Sequence, residues 1–122
     1  MKATLKDVPY GPSPANVFDL YRPAKPSGAI LIWIHGGSCF SGDKSDSAKL
    51  DLLSELYRGG TSIVTINYRL SHEAMFPAPF HDSRRAFQFV RSQAATWDLA
   101  PEKIALGGAS VGAGMALWLG LK

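Results

Sequence analysis

The stretch Lys103–Leu119, KIALGGASVGAGMALWL, constrains the fold more than any other part of the sequence. A short apolar β-type run leads into Gly108-Ala109-Ser110-Val111-Gly112, and a Gly/Ala-rich apolar segment with a helical reading follows. Strand, sharp turn and helix in that order, with G-x-S-x-G at the turn, is the pattern of a strained elbow that lifts one serine hydroxyl clear of the sheet edge. Gly108 and Gly112 remove side chains where strand and helix must approach closely, and glycine tolerates the backbone angles of a tight turn. Ser110 then lies at a helix N-terminus, whose unpaired N–H groups favour developing negative charge. The motif alone leaves two readings, a nucleophile or a tight packing turn. Phosphate loops fit worse: a Walker loop requires Gly-Lys-Ser/Thr and this turn has no lysine, and a dinucleotide fingerprint from Gly112 requires glycine where Leu117 stands.

The chain has 122 residues, 46% hydrophobic and 19% charged, a composition that predicts one globular core. A formal charge of +3 on scattered Lys and Arg gives no nucleic-acid or acidic-membrane footprint, and Arg84 and Arg85 read as a solvated helix face. The single Cys39 excludes an intrachain disulfide and reads as a small packed residue. The N-terminal MKATLKDVPYGPSP has no apolar signal core, and no apolar run is long enough to span a membrane. A soluble, cytoplasmic chain is the expectation, with the compartment itself left open. His35, His72 and His81 are too dispersed for a zinc site, so no metal is expected.

Along the chain, Asn16–Tyr21 alternates as a strand, with Phe18 and Leu20 on one side and Val17, Asp19 and Tyr21 on the other. The turn cluster RPAKPSG precedes Ala29–Ile34, AILIWI, a continuous apolar run of the kind buried on both faces of a sheet, and therefore a central strand. The polar loop His35-Gly36-Gly37-Ser38 follows. Ser47–Arg58 has a helical face in Leu50, Leu53 and Tyr57 and a stop at Gly59-Gly60. Ile63–Asn67 is a second buried strand. Tyr68–Phe80, with Pro77 and Pro79, reads as a loop, and a helix runs from Asp82 or Ser83 to about Trp97, with Phe87, Val90, Ala94 and Trp97 on one face. Alternating strands and helices predict an α/β fold, a mostly parallel sheet with helices on both faces. Chemistry in such sheets gathers at the carboxyl ends of strands, where His35–Ser38 and Ser110 both fall.

These residues resemble the N-terminal half of an α/β-hydrolase of the hormone-sensitive-lipase-like and feruloyl- or acetylxylan-esterase-like carboxylesterases. Pro9-Tyr10-Gly11 with Phe18-Asp19-Leu20-Tyr21-Arg22-Pro23 is similar to the family's first hairpin, and Ile34-His35-Gly36-Gly37-Ser38 to its oxyanion loop. Asn67-Tyr68-Arg69-Leu70-Ser71-His72-Glu73, then Phe76-Pro77-Ala78 and Asp82, is similar to the YRL…FPA…D segment, and Gly108–Gly112 to the elbow. The resemblance covers essentially all of residues 1–122 but about half of the family's domain. It implies a serine ester hydrolase of small esters working through an acyl-enzyme at Ser110, without a cofactor. It also implies oxyanion donors in the N–H groups of Gly37, Ser38 and Val111, with His35 shaping the loop rather than acting as base. Gly36, Gly108 and Gly112 become structural supports, and Arg69 and Asp82 an ion pair bracing the loop. Ser38 stands where the family often has a third glycine. The stretch HGGSCFSGDKSD is also similar to kynurenine formamidase-like members, which brings in an amide substrate.

The fold's triad runs Ser, then Asp or Glu, then His along the chain. The short tail after Ser110 holds no acid and no histidine, and Met115–Leu121 is apolar all round. The expectation is therefore a partial fold ending just after the elbow helix, nearly inactive alone, that self-associates or is completed by a C-terminal chain. The alternative is a non-catalytic truncated hydrolase serving as an oligomerising or binding module.

Overall fold

The computed structural model describes residues 1–37, 41–70 and 76–121. Its strands are β1 (Leu5–Pro9), β2 (Val17–Tyr21), β3 (Ile30–Ile34), β4 (Ser62–Ile66) and β5 (Ile104–Gly108). Its helices are α1 (Lys44–Ser47), α2 (Asp51–Arg58), α3 (Ala78–Gln93), continued by a 3-10 turn over Ala94–Trp97, and α4 (Val111–Gly120). The five strands form one sheet in the order β1-β2-β4-β3-β5. The sheet is mixed: β3 pairs parallel with β4 and β5, whereas β1 and β2 pair antiparallel with each other and β2 with β4. The hairpin adds two antiparallel pairings that the helix-rich second half of the sequence does not announce.

The apolar run of β3 is flanked on both sides, as a central strand requires, and its alternation divides the core. Ile30, Ile32 and Ile34 join Phe18, Leu20, Val64 and Ile66 under Ala86, Val90 and Ala94 of the α3 segment and Met115, Ala116 and Leu119 of α4. Leu31 and Trp33 face the other way, with Tyr21, Ile63 and Leu53 of α2. Burying this much branched apolar surface on both faces is the main stabilising term of the fold, at ~25 cal/mol per Å².

Two helix boundaries differ from the sequence reading. The helix expected over Ser47–Arg58 starts at Asp51, after a separate short helix, α1, that ends at Ser47: Lys44 and Ser47 are buried, and the chain must turn before α2 can set Leu53 on Ile63. Helix α3 begins at Ala78 rather than Asp82, with Pro79 in its first turn. A proline there loses no intrahelical bond, since those N–H groups have no partner in any helix.

Candidate active site

Ile34 and Gly108 are register partners at the carboxyl ends of β3 and β5. The His35–Gly37 segment and the Ala109-Ser110 turn therefore leave the sheet side by side, joined by an Ala109 N–H bond to the Ile34 carbonyl at 3.2 Å. Ser110 has φ 56° and ψ −120°, a left-handed conformation that costs a non-glycine residue about 1–3 kcal/mol and persists only where its surroundings enforce it. The enforcement is visible in the glycines. A Cβ on Gly112 would run into the Ile34 carbonyl oxygen and lie 2.7 Å from the His35 oxygen, and one on Gly108 would lie 2.7 Å from the Ala113 nitrogen. A Cβ on Gly36 would come 3.2 Å from the Ser110 Cβ, so the loop after β3 packs directly on the serine.

The Ser110 hydroxyl is exposed and makes no hydrogen bond among the described residues. At the start of α4, the N–H groups of Gly112, Ala113 and Gly114 are taken by the Ala109 and Ser110 carbonyls, at 2.9, 3.0 and 3.3 Å. The N–H groups of Val111 and Gly37 meet no acceptor among the described residues. Gly37, at φ 114°, accepts a bond from the Ser41 N–H at 3.1 Å. Gly42, at φ 99°, backs onto the Gly36 oxygen and His35 Nδ1, each 2.7 Å from where a Cβ would stand. The expected donor Ser38 lies outside the described residues, as do Cys39, Phe40, Ser71, His72 and Glu73.

His35 is 4% exposed, and its ring stacks on Tyr68 with centroids 4.4 Å apart. Its Nδ1 lies 2.7 Å from the Gly36 oxygen, and the Tyr68 hydroxyl donates to the His35 carbonyl at 2.8 Å. Burial pulls the imidazole below its ordinary pKa, against an upward push from the Gly36 carbonyl and Asp43. Arg69 and Asp82 form a two-point ion pair. Nε donates to Oδ2 at 2.9 Å and Nη2 to Oδ1 at 2.8 Å, while the Arg69 N–H adds a third bond to Oδ2. Asp82 is buried, and the Arg69 side chain is 36% exposed. This pair fixes the start of the segment after β4 to α3.

A second polar cluster escaped the sequence reading. Asp43 caps α1 through a reciprocal bond with Asp46, and its carboxylate also accepts from Asn67 Nδ2 at 2.9 Å. The Lys44 N–H donates to Asn67 Oδ1 at 2.7 Å. The Lys44 ammonium pairs with Asp7 at 2.7 Å and Asp19 at 3.1 Å. The legible signal was the spacing Asp43-x-x-Asp46, a capping-box pattern three residues wide. The partners Asp7, Asp19 and Asn67 are distant in sequence and carry no local mark.

Among the described residues no histidine or carboxylate bonds to Ser110; His35 is engaged by Tyr68 and Gly36, and His81 lies against Trp118. Those residues contain no cluster of metal-ligating side chains and no helix long and apolar enough to cross a membrane. Strand β5 is at the sheet edge, and a groove of about 630 Å³ beside it is lined by Ile104, Leu106, Ala113, Ala116, Leu117 and Leu121.

A chain with this sheet, elbow and loop is similar to known esterases. Residues 18–122 match the BD-FAE family model. The sequence is 34% identical over 119 residues to Esterase LipQ of Mycobacterium tuberculosis, covering 93% of this chain and 28% of that protein. It is 33% identical over 98 residues to an acetyl esterase of Salmonella schwarzengrund, covering 80% of this chain and 30% of the relative. Among solved structures, a truncated form of a carbohydrate esterase from gut microbiota superposes with TM-score 0.81 at 29% identity, over 91% of this chain and 40% of that one. A bacterial heroin esterase gives TM-score 0.78 at 27% identity, over 93% and 37%. The chain thus spans under a third of the length of these curated relatives. It belongs to the BD-FAE family and has the fold of an α/β-hydrolase carboxylesterase, matched over the part of that fold from the first hairpin to the elbow helix.

Proposed function

We propose that Ser110 is the nucleophile of a carboxylic-ester hydrolase that works through an acyl-enzyme. The observation that carries this reading is the strained backbone of Ser110 at the head of α4, with Gly36 packed against it and N–H groups at Gly37 and Val111 that meet no acceptor among the described residues. Attack of Oγ on the ester carbonyl forms a C–O bond and moves the carbonyl electrons onto oxygen. The N–H groups of Gly37, Ser38 and Val111 receive that oxyanion. Each such donor is worth about 2.7–4 kcal/mol of barrier. Collapse expels the alcohol and leaves an acyl-Ser110, which water hydrolyses. His35 shapes the loop through its buried contacts, and the Arg69–Asp82 pair braces the segment beside it. The names of the relatives favour a small acyl group, such as acetyl on a carbohydrate, over the amide substrate of formamidase-like members.

The proton of Ser110 needs a base, and we place the base and its orienting acid outside these 122 residues, in the further length that the relatives have. The 122-residue chain is then a part of one α/β-hydrolase domain, and the free edge of β5 with its apolar groove is where further chain, or a second copy, pairs. That open edge favours, as a second reading, an oligomerising module without turnover.

Hydrolysis of p-nitrophenyl acetate by residues 1–122 and by the Ser110→Ala variant tests the proposal. Loss of a triad base costs on the order of 10⁶ in kcat, so only a trace rate is expected, and it disappears with Ser110→Ala. A trace rate that survives Ser110→Ala overturns the nucleophile. A rate of ordinary enzymatic size, abolished by the substitution, overturns the absence of a base.

A further inference from the structure

Lysine is among the residues least often buried, yet Lys44 is 5% exposed. Its ammonium lies between Asp7 Oδ1 at 2.7 Å and Asp19 Oδ1 at 3.1 Å, and Asp19 is itself buried on β2. The hairpin is shaped to deliver both carboxylates. Pairing of β1 with β2 is irregular between Leu5 and Val8, and there Asp7 adopts φ 54° and donates its N–H to Asp19 Oδ1 at 2.8 Å. Such an irregularity re-aims a side chain. The main chain of the same lysine is held elsewhere, by Asn67 just beyond β4. One residue thus ties the start of α1 to two separate parts of the sheet.

What it holds lies immediately upstream. The Ser41 N–H bonds to the Gly37 carbonyl, and Gly42 backs onto Gly36 and His35, so the described residues on the two sides of this loop are joined directly. Its upstream root is fixed by β3 and by Gly36 against Ser110. Its downstream root is fixed at Asp43 and Lys44. The geometry points to Lys44 as a positioning residue for the Gly37 N–H: its ammonium, clamped by Asp7 and Asp19, anchors the downstream end of the loop to the β1–β2 hairpin, remote from Ser110. This inference rests on reading Gly37 as an oxyanion donor.

Amide spectra of ¹⁵N-labelled protein test it, with Lys44→Met, which keeps the apolar stem, and Lys44→Arg, which keeps the charge. For Lys44→Met the Gly37 cross-peak is expected to shift and the Ser41 amide to exchange roughly tenfold faster, since hydrogen bonds to charged groups are among the stronger ones. Lys44→Arg is expected to return both close to the parent values. The Ile32 amide, inside the sheet, reports global opening. If Ile32 accelerates while Gly37 and Ser41 stay unchanged, or if Ser41 and Ile32 accelerate by one factor, Lys44 only stabilises the domain and the inference falls. Should Lys44→Met not fold, Asp7→Asn carries the same comparison, because Asp7 is the exposed partner; a Ser41 acceleration of roughly threefold supports the inference and an unmoved Gly37 signal overturns it. Ester turnover that survives Ser110→Ala overturns the catalytic reading while leaving these amide results standing. Ser110-dependent turnover with an unmoved Gly37 signal overturns the role of Lys44 alone.

Discussion

Gly112→Ala and Gly114→Ala change the same helix by the same methyl group and are expected to act in opposite directions. The Gly112 methyl enters the seam between α4 and β3, where its neighbours are the Ile34 carbonyl and the His35 oxygen. All are backbone atoms, so no side chain can rotate aside. Restoring ordinary contact from 2.7 Å requires helix and strand to part by at least about 0.7 Å. Overpacking of this kind costs typically 1–3 kcal/mol, and the absence of any flexible neighbour puts Gly112→Ala at roughly 3 kcal/mol. At about 4 °C per kcal/mol for a domain of this size, Tm falls on the order of 12 °C. Gly114 has nothing within 4 Å of a new Cβ. There, removing glycine from a helix interior stabilises by roughly 0.5–1 kcal/mol and Tm rises about 2–4 °C. Thermal melts followed by circular dichroism at 222 nm, repeated in urea, measure both. A Gly112→Ala protein that melts at or above the parent temperature would refute the close approach on which the elbow depends.

Other substitutions probe the rest of the site. Asp82→Asn removes the buried carboxylate from the two-point pair with Arg69, and the urea midpoint should report a loss of about 3 kcal/mol, the low end for a buried pair because Arg69 is partly open to water; a loss under about 1 kcal/mol contradicts the bracing role. Ser110→Gly relieves the left-handed backbone at φ 56° and should raise Tm while removing the trace ester turnover, whereas a lowered Tm means the turn is not strained. Burial pushes the Asp43 carboxyl up, but bonds from Asn67 and Ser45 and the charge of Lys44 together hold it at about 2, below its ordinary value of 3.8. Its contribution to stability is therefore present above the ordinary value and lost as pH falls through about 2; Asp43→Asn should flatten that acid limb. Burial lowers the pKa of His35, so unfolding takes up a proton below its ordinary value of 6.5 and stability falls as the solution is acidified past that point; His35→Gln should lack this dependence in pH-jump unfolding.

The parts of the fold that were legible in the sequence are those written in local patterns. Alternation in Asn16–Tyr21 places Phe18 and Leu20 in one core layer and Tyr21 in the other. The unbroken run AILIWI marks the strand flanked on both sides, and the spacing of Phe87, Val90, Ala94 and Trp97 marks the face that packs on it. The elbow was legible because its steric demand is met by glycines at fixed offsets from Ser110. The pairing of β2 with β4 and the Lys44 cluster were not, because they depend on which distant segments meet and on a register irregularity at Asp7, whereas the first hairpin was expected from the family resemblance. The start of α3 was misplaced because Pro79 reads as a breaker unless its position in the first turn is known.

Acyl trapping reads the nucleophilicity of Ser110 without requiring turnover. With the base outside these 122 residues, as proposed, deacylation is slowed as well as acylation, so incubation with p-nitrophenyl acetate should build up an acetyl group that persists on the peptide containing Ser110. Under limiting reagent one acetylated site is expected, found on Ser110 by fragment mass spectrometry and absent from Ser110→Ala. Acetyl groups spread over the lysines in equal amounts in both proteins, with none on Ser110, would contradict it.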